Sequence, residues 1–223
     1  MDTFHTIVMD TYSTVCHVKK RLGGVYENHC HVMDGQKYIC MDDLAEDIRK
    51  QECLIYTFGI RDDWSFEDII GSMGCRVFAF DPTIDAEPKR SENIRFQKVG
   101  VVGKPTNDKS YKTLAQILKD NGHTNTKISY LKIDIEGHEL SGLPVWLNSG
   151  ALNNVNQIAM EVHLHSNPEA DTKAFFQTFK DLHLKGNYRV INWEANNCWK
   201  KSTYHHLMEI VLKKINSINS CSS

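Results

Sequence analysis

CLIYTFGIRDDWSFEDIIGSMGCRVFAFDP, residues 53–82, decides the fold class. Residues 53–58 and 76–80 are short apolar runs rich in β-branched and aromatic side chains, and the helical pattern of 66–72 lies between them. Strands joined through a helix lie parallel, because a parallel pair needs a crossover connection. The alternation continues, with strands expected at 94–102, 129–133, 157–162, 188–193 and 207–212 and helices at 111–121, 140–147 and 171–184. The expected fold class is α/β, a mostly parallel sheet with helices on both faces.

Residues 1–52 read as an N-terminal helical cap and lead-in. Phe4, Ile7, Val8, Thr11, Val15 and Val18 share one helical face, so an amphipathic helix is expected over 4–18, ending at Gly23-Gly24. Asp34-Gly35 marks a turn, and a charged helix follows around 44–50. Residues 53–214 form the main domain, and the Asn/Ser-rich stretch 215–223 reads as a disordered tail. Lys19-Lys20-Arg21 reads as solvated surface, and Phe175, Phe176 and Phe179 as core.

The 223 residues are 41% hydrophobic and 24% charged, as in ordinary globular proteins. A formal net charge of −2 gives no general attraction for phosphate backbones, so duplex nucleic acid is not an expected partner. No apolar run is long enough to span a bilayer, and the first thirty residues lack the form of a signal peptide. Seven cysteines leave a cytoplasmic or a lumenal home open, the latter if a longer native chain carries an upstream anchor. Cys16, Cys30 and Cys40 include a candidate disulfide pair. The set Cys16, His29, Cys30, His31, Cys40 is a weak zinc candidate, because it lacks Cys-x-x-Cys spacing.

In an open parallel sheet, ligands bind beyond the carboxyl ends of the strands. The residues at those ends are Thr57 to Ser65, Asp81-Pro82, Gly100 to Gly103, Asp134 to His138 and His163 to His165, with Glu161 just inside its strand. Gly59 can allow close approach of backbone to ligand, and Ser65-x-x-Asp68 has the form of a capping box. Only one glycine of a dinucleotide fingerprint is present, which disfavours a pyrophosphate cradle. A carboxylate at Asp81 can accept both hydroxyls of a ribose, and loop and acid together point to a nucleoside without a long phosphate tail. Trp64, Tyr111 and Trp193 are candidates for stacking or a lid, and His205-His206 for an acceptor loop.

IYTFGIRDDWSFED, GCRVFAFDPT, YLKIDIEGHEL and IAMEVH, in that order, resemble the FkbM-type methyltransferases, most closely the branch containing methyltransferase-like protein 24. The resemblance covers residues 30–213. It implies a Rossmann-like class I fold, seven strands with the last antiparallel, and S-adenosyl-L-methionine as cofactor. Carried onto this sequence, Phe58, Gly59 and Ile60 line the methionine part and Asp81 the ribose, while Asp134 and Glu136 flank cofactor and substrate. Thr57, Trp64, Pro82, Gly100 and Val101 complete the cofactor set. Thr57 departs from the family, standing where an acid is usual.

Methyl transfer from a sulfonium is an in-line displacement, so the protein orients the acceptor and, for a hydroxyl, removes a proton. Asp134 and Glu136 at spacing two, and Glu161 and His163 at the same spacing, can converge. In one reading His163 or His138 is the general base, its ordinary pKa of about 6.5 near working pH, oriented by Asp134 or Glu161. In the other, Asp134, Glu136, Glu161 and His163 hold a divalent cation. Glu139 reads as a helix cap. The methyl acceptor, O or N, is not readable, nor is the oligomeric state. The rival functions are a catalytically inactive methyltransferase-fold module and a nicotinamide-dependent oxidoreductase.

Overall fold

The computed structural model describes residues 15–164, 168–196 and 207–215. Its central sheet contains β5 (Leu54–Phe58), β6 (Arg76–Phe80), β7 (Ile94–Gln97), β10 (Tyr130–Ile133), β11 (Gln157–His163), β12 (Tyr188–Ala195) and β13 (Leu207–Lys214). Their order is β12-β13-β11-β10-β5-β6-β7. Six strands point the same way, and β13 alone of the seven is antiparallel, to both β11 and β12. This is the seven-stranded, mostly parallel sheet expected from the sequence. Strand order reverses between β5 and β10, which opens a crevice at their carboxyl ends.

Alternation along each strand assigns the two faces. Tyr56, Phe58, Leu131, Ile133 and Met160 pack with Leu114, Leu143, Trp146 and Phe179 of the helices α3 (Leu114–Asp120), α4 (Glu139–Asn148) and α5 (Pro168–Leu184). Ile55, Val77, Tyr130 and Val211 pack on the opposite face with Ile39, with Leu44 of α1 (Met41–Arg49) and with Phe66 and Ile70 of α2 (Ser65–Ser72).

The lead-in differs most from expectation. Residues 1–14 lie outside the described residues, and 15–40 contain strands where a helix was expected to end. β1 (Lys19–Leu22) pairs antiparallel with β4 (Lys37–Cys40), and β2 (Val25–Glu27) with β3 (Val32–Asp34). Two covalent ties enforce an extended path here and at the next strand, since Cys16 is bonded to Cys40 and Cys53 to Cys75. Cys30 is also disulfide-bonded. The candidate zinc set therefore has no thiolate to offer. Lys19 donates to the Ile191 carbonyl and Arg21 pairs with Glu194, so this basic run docks on the sheet edge. β4 is held against β11 by buried Gln157, whose side chain accepts from the Cys40 N–H and donates to its carbonyl at 2.8 Å each.

Three local readings also change. Residues 94–102 divide into β7 and β8 (Gly100–Val102), because β8 leaves the sheet to pair with β9 (Tyr111–Thr113). The helix read from 111 accordingly starts at Leu114, capped by the Thr113 hydroxyl, which accepts from the Gln116 N–H. No capping box forms at Ser65: Asp68 pairs with Arg90, and the Asp63 carboxylate accepts from the Ser65 N–H. Phe175 and Phe179 are buried but Phe176 is exposed. The expected tail, from 216, and His205-His206 lie outside the described residues.

Candidate active site

The carboxyl ends of β5, β6, β10 and β11 open into one cavity of about 690 Å³. One end is lined by Phe58, Gly59, Ile60, Asp81, Pro82, Gly100, Val101 and Tyr111, and the other by Asp134, Glu136, His138, Glu161 and His163. Asp81 and Asp134 therefore share a cavity. The wall opposite the sheet comes from the lead-in, through Val25, Glu27, Asp34 and Gly35.

Gly59 sits at φ +80°, and a Cβ there would lie 1.6 Å from the Asp134 carbonyl oxygen. The glycine is thus required by the close approach of the two strand ends that carry the site. Gly100 is required in the same way beneath the Tyr111 ring. Asp81 is buried, with its acceptor sites filled from within the protein. Its Oδ2 accepts from the N–H groups of Ile60 and Arg61 at 2.9 and 2.8 Å, and its Oδ1 from the Thr83 N–H and hydroxyl at 2.8 and 2.6 Å. Burial acts to raise its pKa, but these bonds hold it below the ordinary aspartate value.

Three of the sequence candidates, Thr57, Trp64 and Trp193, stand outside the cavity. Thr57 is fully buried one position short of the strand end, and its hydroxyl has no hydrogen-bond partner. Trp64 packs edge-on against Phe96 with the Arg90 guanidinium over its ring, so it braces α2. Trp193 does not line the cavity either.

The acceptor-side groups form a charged cluster on the face that carries the lead-in. Glu161 and Glu209 are directly opposed across β11 and β13, a like-charge pairing that needs a counter-charge. Lys37 of β4 supplies it. Its side chain is fully buried, 2.5 Å from Glu209 and 3.7 Å from Asp134. Burial opposes its charge, yet Glu209, Asp134 and Glu161 together hold its pKa above the ordinary lysine value. Burial, with Asp134 adding repulsion, pushes Glu161 up to about 8 and Glu209 up to about 7. Asn196 donates to Glu161 at 2.9 Å.

His163 lies between carboxylates, with Nδ1 3.3 Å from buried Glu139 and Nε2 3.4 Å from Glu136 and 3.8 Å from Glu161. Burial works against its charge, but Glu139, Glu161 and Asp134 carry it up to about 9. It is an imidazolium at neutral pH, which removes the premise that it is a base with an ordinary pKa. Glu139 opens α4 without capping it: its carboxylate accepts from the Ile135 and Gly137 N–H groups of the preceding loop, and it also orients His163.

Sequence reasoning missed Lys37, Glu209, Glu27, Asp34 and Lys132. Lys37 carried one signal, since it shares a strand side with buried Ile39. Lys132 pairs with buried Glu67 at 3.1 Å beside the Gly59 carbonyl.

Residues 8–208 match the profile of the Methyltransf_22 family, described as a methyltransferase domain. The chain belongs to that family. Two curated relatives of this methyltransferase domain, each named "Probable methyltransferase-like protein 24", come from Homo sapiens and Rattus norvegicus. They are 30% and 31% identical to it over 140 residues. Each match covers 57% of this chain but only 38% of the relative. Among solved structures, the fibrillarin/Nop5p complex is 10% identical with a TM-score of 0.44, covering 86% of this chain and 90% of that one. Sp1610 of Streptococcus pneumoniae, solved with S-adenosyl-L-methionine, is 10% identical with a TM-score of 0.41, covering 78% and 73%. No described helix is long and apolar enough to cross a membrane.

Proposed function

We propose that this methyltransferase domain uses S-adenosyl-L-methionine, in the manner of the FkbM type and of reaction class EC 2.1.1. We take residues 53–214 as the catalytic fold and 15–52 as the wall of its acceptor half. The observation that carries the reading is a single cavity joining a nucleoside-sized apolar end to a charged end. Glycine and apolar surfaces at Phe58, Gly59, Ile60, Pro82, Gly100 and Val101 suit an adenosine. At Asp81, the hydroxyl of exposed Thr83 is the donor that a ribose hydroxyl replaces, leaving the three backbone donors in place. When bound, the cofactor supplies a methyl group on a sulfonium. Asp134 and Glu136 border both halves, Glu161 accepts the acceptor's proton once ionised, and His163 with His138 holds the acceptor end in place.

We favour a reading without a divalent cation. Side-chain atoms of Asp134, Glu136 and His163 do lie within 4.8 Å of one another. Holding a metal there, however, would displace the proton that His163 carries beside Glu139 and Glu161. The disulfides support folding in an oxidising compartment.

Isothermal titration with S-adenosylhomocysteine and, separately, with NADH tests the reading. Heat with the first and not the second is expected. Heat with NADH alone would return the fold to an oxidoreductase, and heat with neither to an inactive scaffold.

A further inference from the structure

We propose that the methyl acceptor is a nitrogen base presented on a cationic molecule, an alkylamine or a guanidine, and that Glu27 and Asp34 of the β2–β3 hairpin, with Glu136, read its charge. The proposal rests on the methyltransferase reading of the same cavity and settles its acceptor as N rather than O.

The first support is the lining. Seven carboxylates face the cavity against two permanent cations, Arg61 and Lys132. Lys132 is engaged by Glu67, outside the cavity, and Arg61 is exposed and paired with Asp62, with Asp34 and Glu136 also favouring its charge. A concave surface of one sign between low-dielectric walls concentrates the opposite charge and rejects its own. The carboxylate excess includes Glu27 and Asp34 from the hairpin and Glu136 from the loop after β10. The second support is how the field acts on the protein's own groups. His163 keeps its proton despite burial, because Glu139, Glu161 and Asp134 surround it. Such an environment stabilises an added cation and opposes an alkoxide.

The chemistry points the same way. In transfer to nitrogen, the bound cationic nitrogen first gives a proton to ionised Glu161 or to water, which frees its lone pair. The lone pair forms the N–C bond as the C–S bond breaks with its electron pair going to sulfur. The sulfonium becomes a thioether and the nitrogen becomes the cation again. Transfer to a hydroxyl instead passes toward an oxyanion, which these carboxylates disfavour.

The test is calorimetric titration of the protein, saturated with S-adenosylhomocysteine, with three probes of similar length: putrescine, 1,4-butanediol and succinate. Putrescine is expected to bind, to weaken with added salt, and to weaken about tenfold in Glu27→Gln, while S-adenosylhomocysteine affinity stays the same. Butanediol binding as well as putrescine, or putrescine giving no heat in a protein that binds S-adenosylhomocysteine, overturns the proposal. Failure to bind S-adenosylhomocysteine counts against the methyltransferase reading instead, and the putrescine titration of that protein still reads the acidic wall.

Discussion

Glu161 is the carboxylate whose removal tests the electrostatics of the acceptor end most directly. It is buried beside Asp134 and opposite Glu209, and its pKa is raised from 4.5 to about 8. The folded state therefore holds a proton that the unfolded chain releases, and stability present below pH 4.5 is lost as pH rises through about 8. Glu161→Gln keeps the amide oxygen for Asn196 and never ionises, so it escapes this loss. Integrating the linkage between those two pKa values gives a gain for the variant of about 1 kcal/mol at pH 5, about 3 kcal/mol at pH 7 and no more than about 5 kcal/mol at pH 9. The gain is trimmed at high pH because Glu161 also helps keep His163 charged. Urea unfolding of both proteins at the three pH values, disulfides intact, reads the difference. A variant less stable than the parent at pH 7, or one whose gain does not grow with pH, would refute the assignment of a crowded, proton-binding Glu161.

Lys37→Met removes the shared counter-charge of three buried or half-buried carboxylates, and is expected to cost about 3–5 kcal/mol at pH 8. The cost shrinks toward pH 5 as Glu161 and Glu209 take up protons; a cost that is flat with pH in the same unfolding assay would mean that Lys37 acts by packing alone. Asp81→Asn strands at least one of the backbone N–H groups of Ile60, Arg61 and Thr83 and should lower stability by about 2–4 kcal/mol along with cofactor affinity. Thr83→Val should leave S-adenosylhomocysteine affinity equal or higher, and a tenfold loss by titration would mean that ribose does not take the place of the Thr83 hydroxyl. Elemental analysis of the purified protein should find less than a tenth of an equivalent of transition metal, and chelation should leave S-adenosylhomocysteine binding unchanged. Alkylation without reductant should spare Cys16, Cys30, Cys40, Cys53 and Cys75, as peptide mass spectrometry would show.

The seven central strands were legible because each is a continuous apolar run between turn residues, and the crossovers between them are helical in pattern. Residues 94–102 misled for a physical reason. The apolar alternation runs on past Gln97, but β8 turns aside to meet β9, and nothing in its own residues announces a partner that lies eleven positions later. The expected helix at 4–18 rested on a periodicity that, from Val15 onward, is overridden by the disulfide at Cys16 and the ladder with β4. Thr57 was carried into the site by the resemblance and Trp64 as a stacking aromatic, but Thr57 is buried within the sheet and Trp64 packs on Phe96 beneath Arg90.

The two halves of the cavity differ in how their information is stored. The cofactor end is assembled from residues immediately after strands β5 and β6 and from Gly100-Val101, so a reader who finds the strands has found that end. The acceptor end depends on contacts that no local pattern records: Lys37 reaches Glu209 across 172 positions, and Cys40 meets Gln157 across 117. Lys37 and Glu209 each look like an error in an apolar run when read alone, and each is explained only by the other. Glu27 and Asp34 of the hairpin belong to no strand of the central sheet, and Asp34 is tied to it through Asn196, which donates to Asp34 and to Glu161. On the reading proposed above, the sheet sets where methyl transfer takes place, and the lead-in, tied down by Cys16–Cys40, sets what is allowed to receive the methyl group.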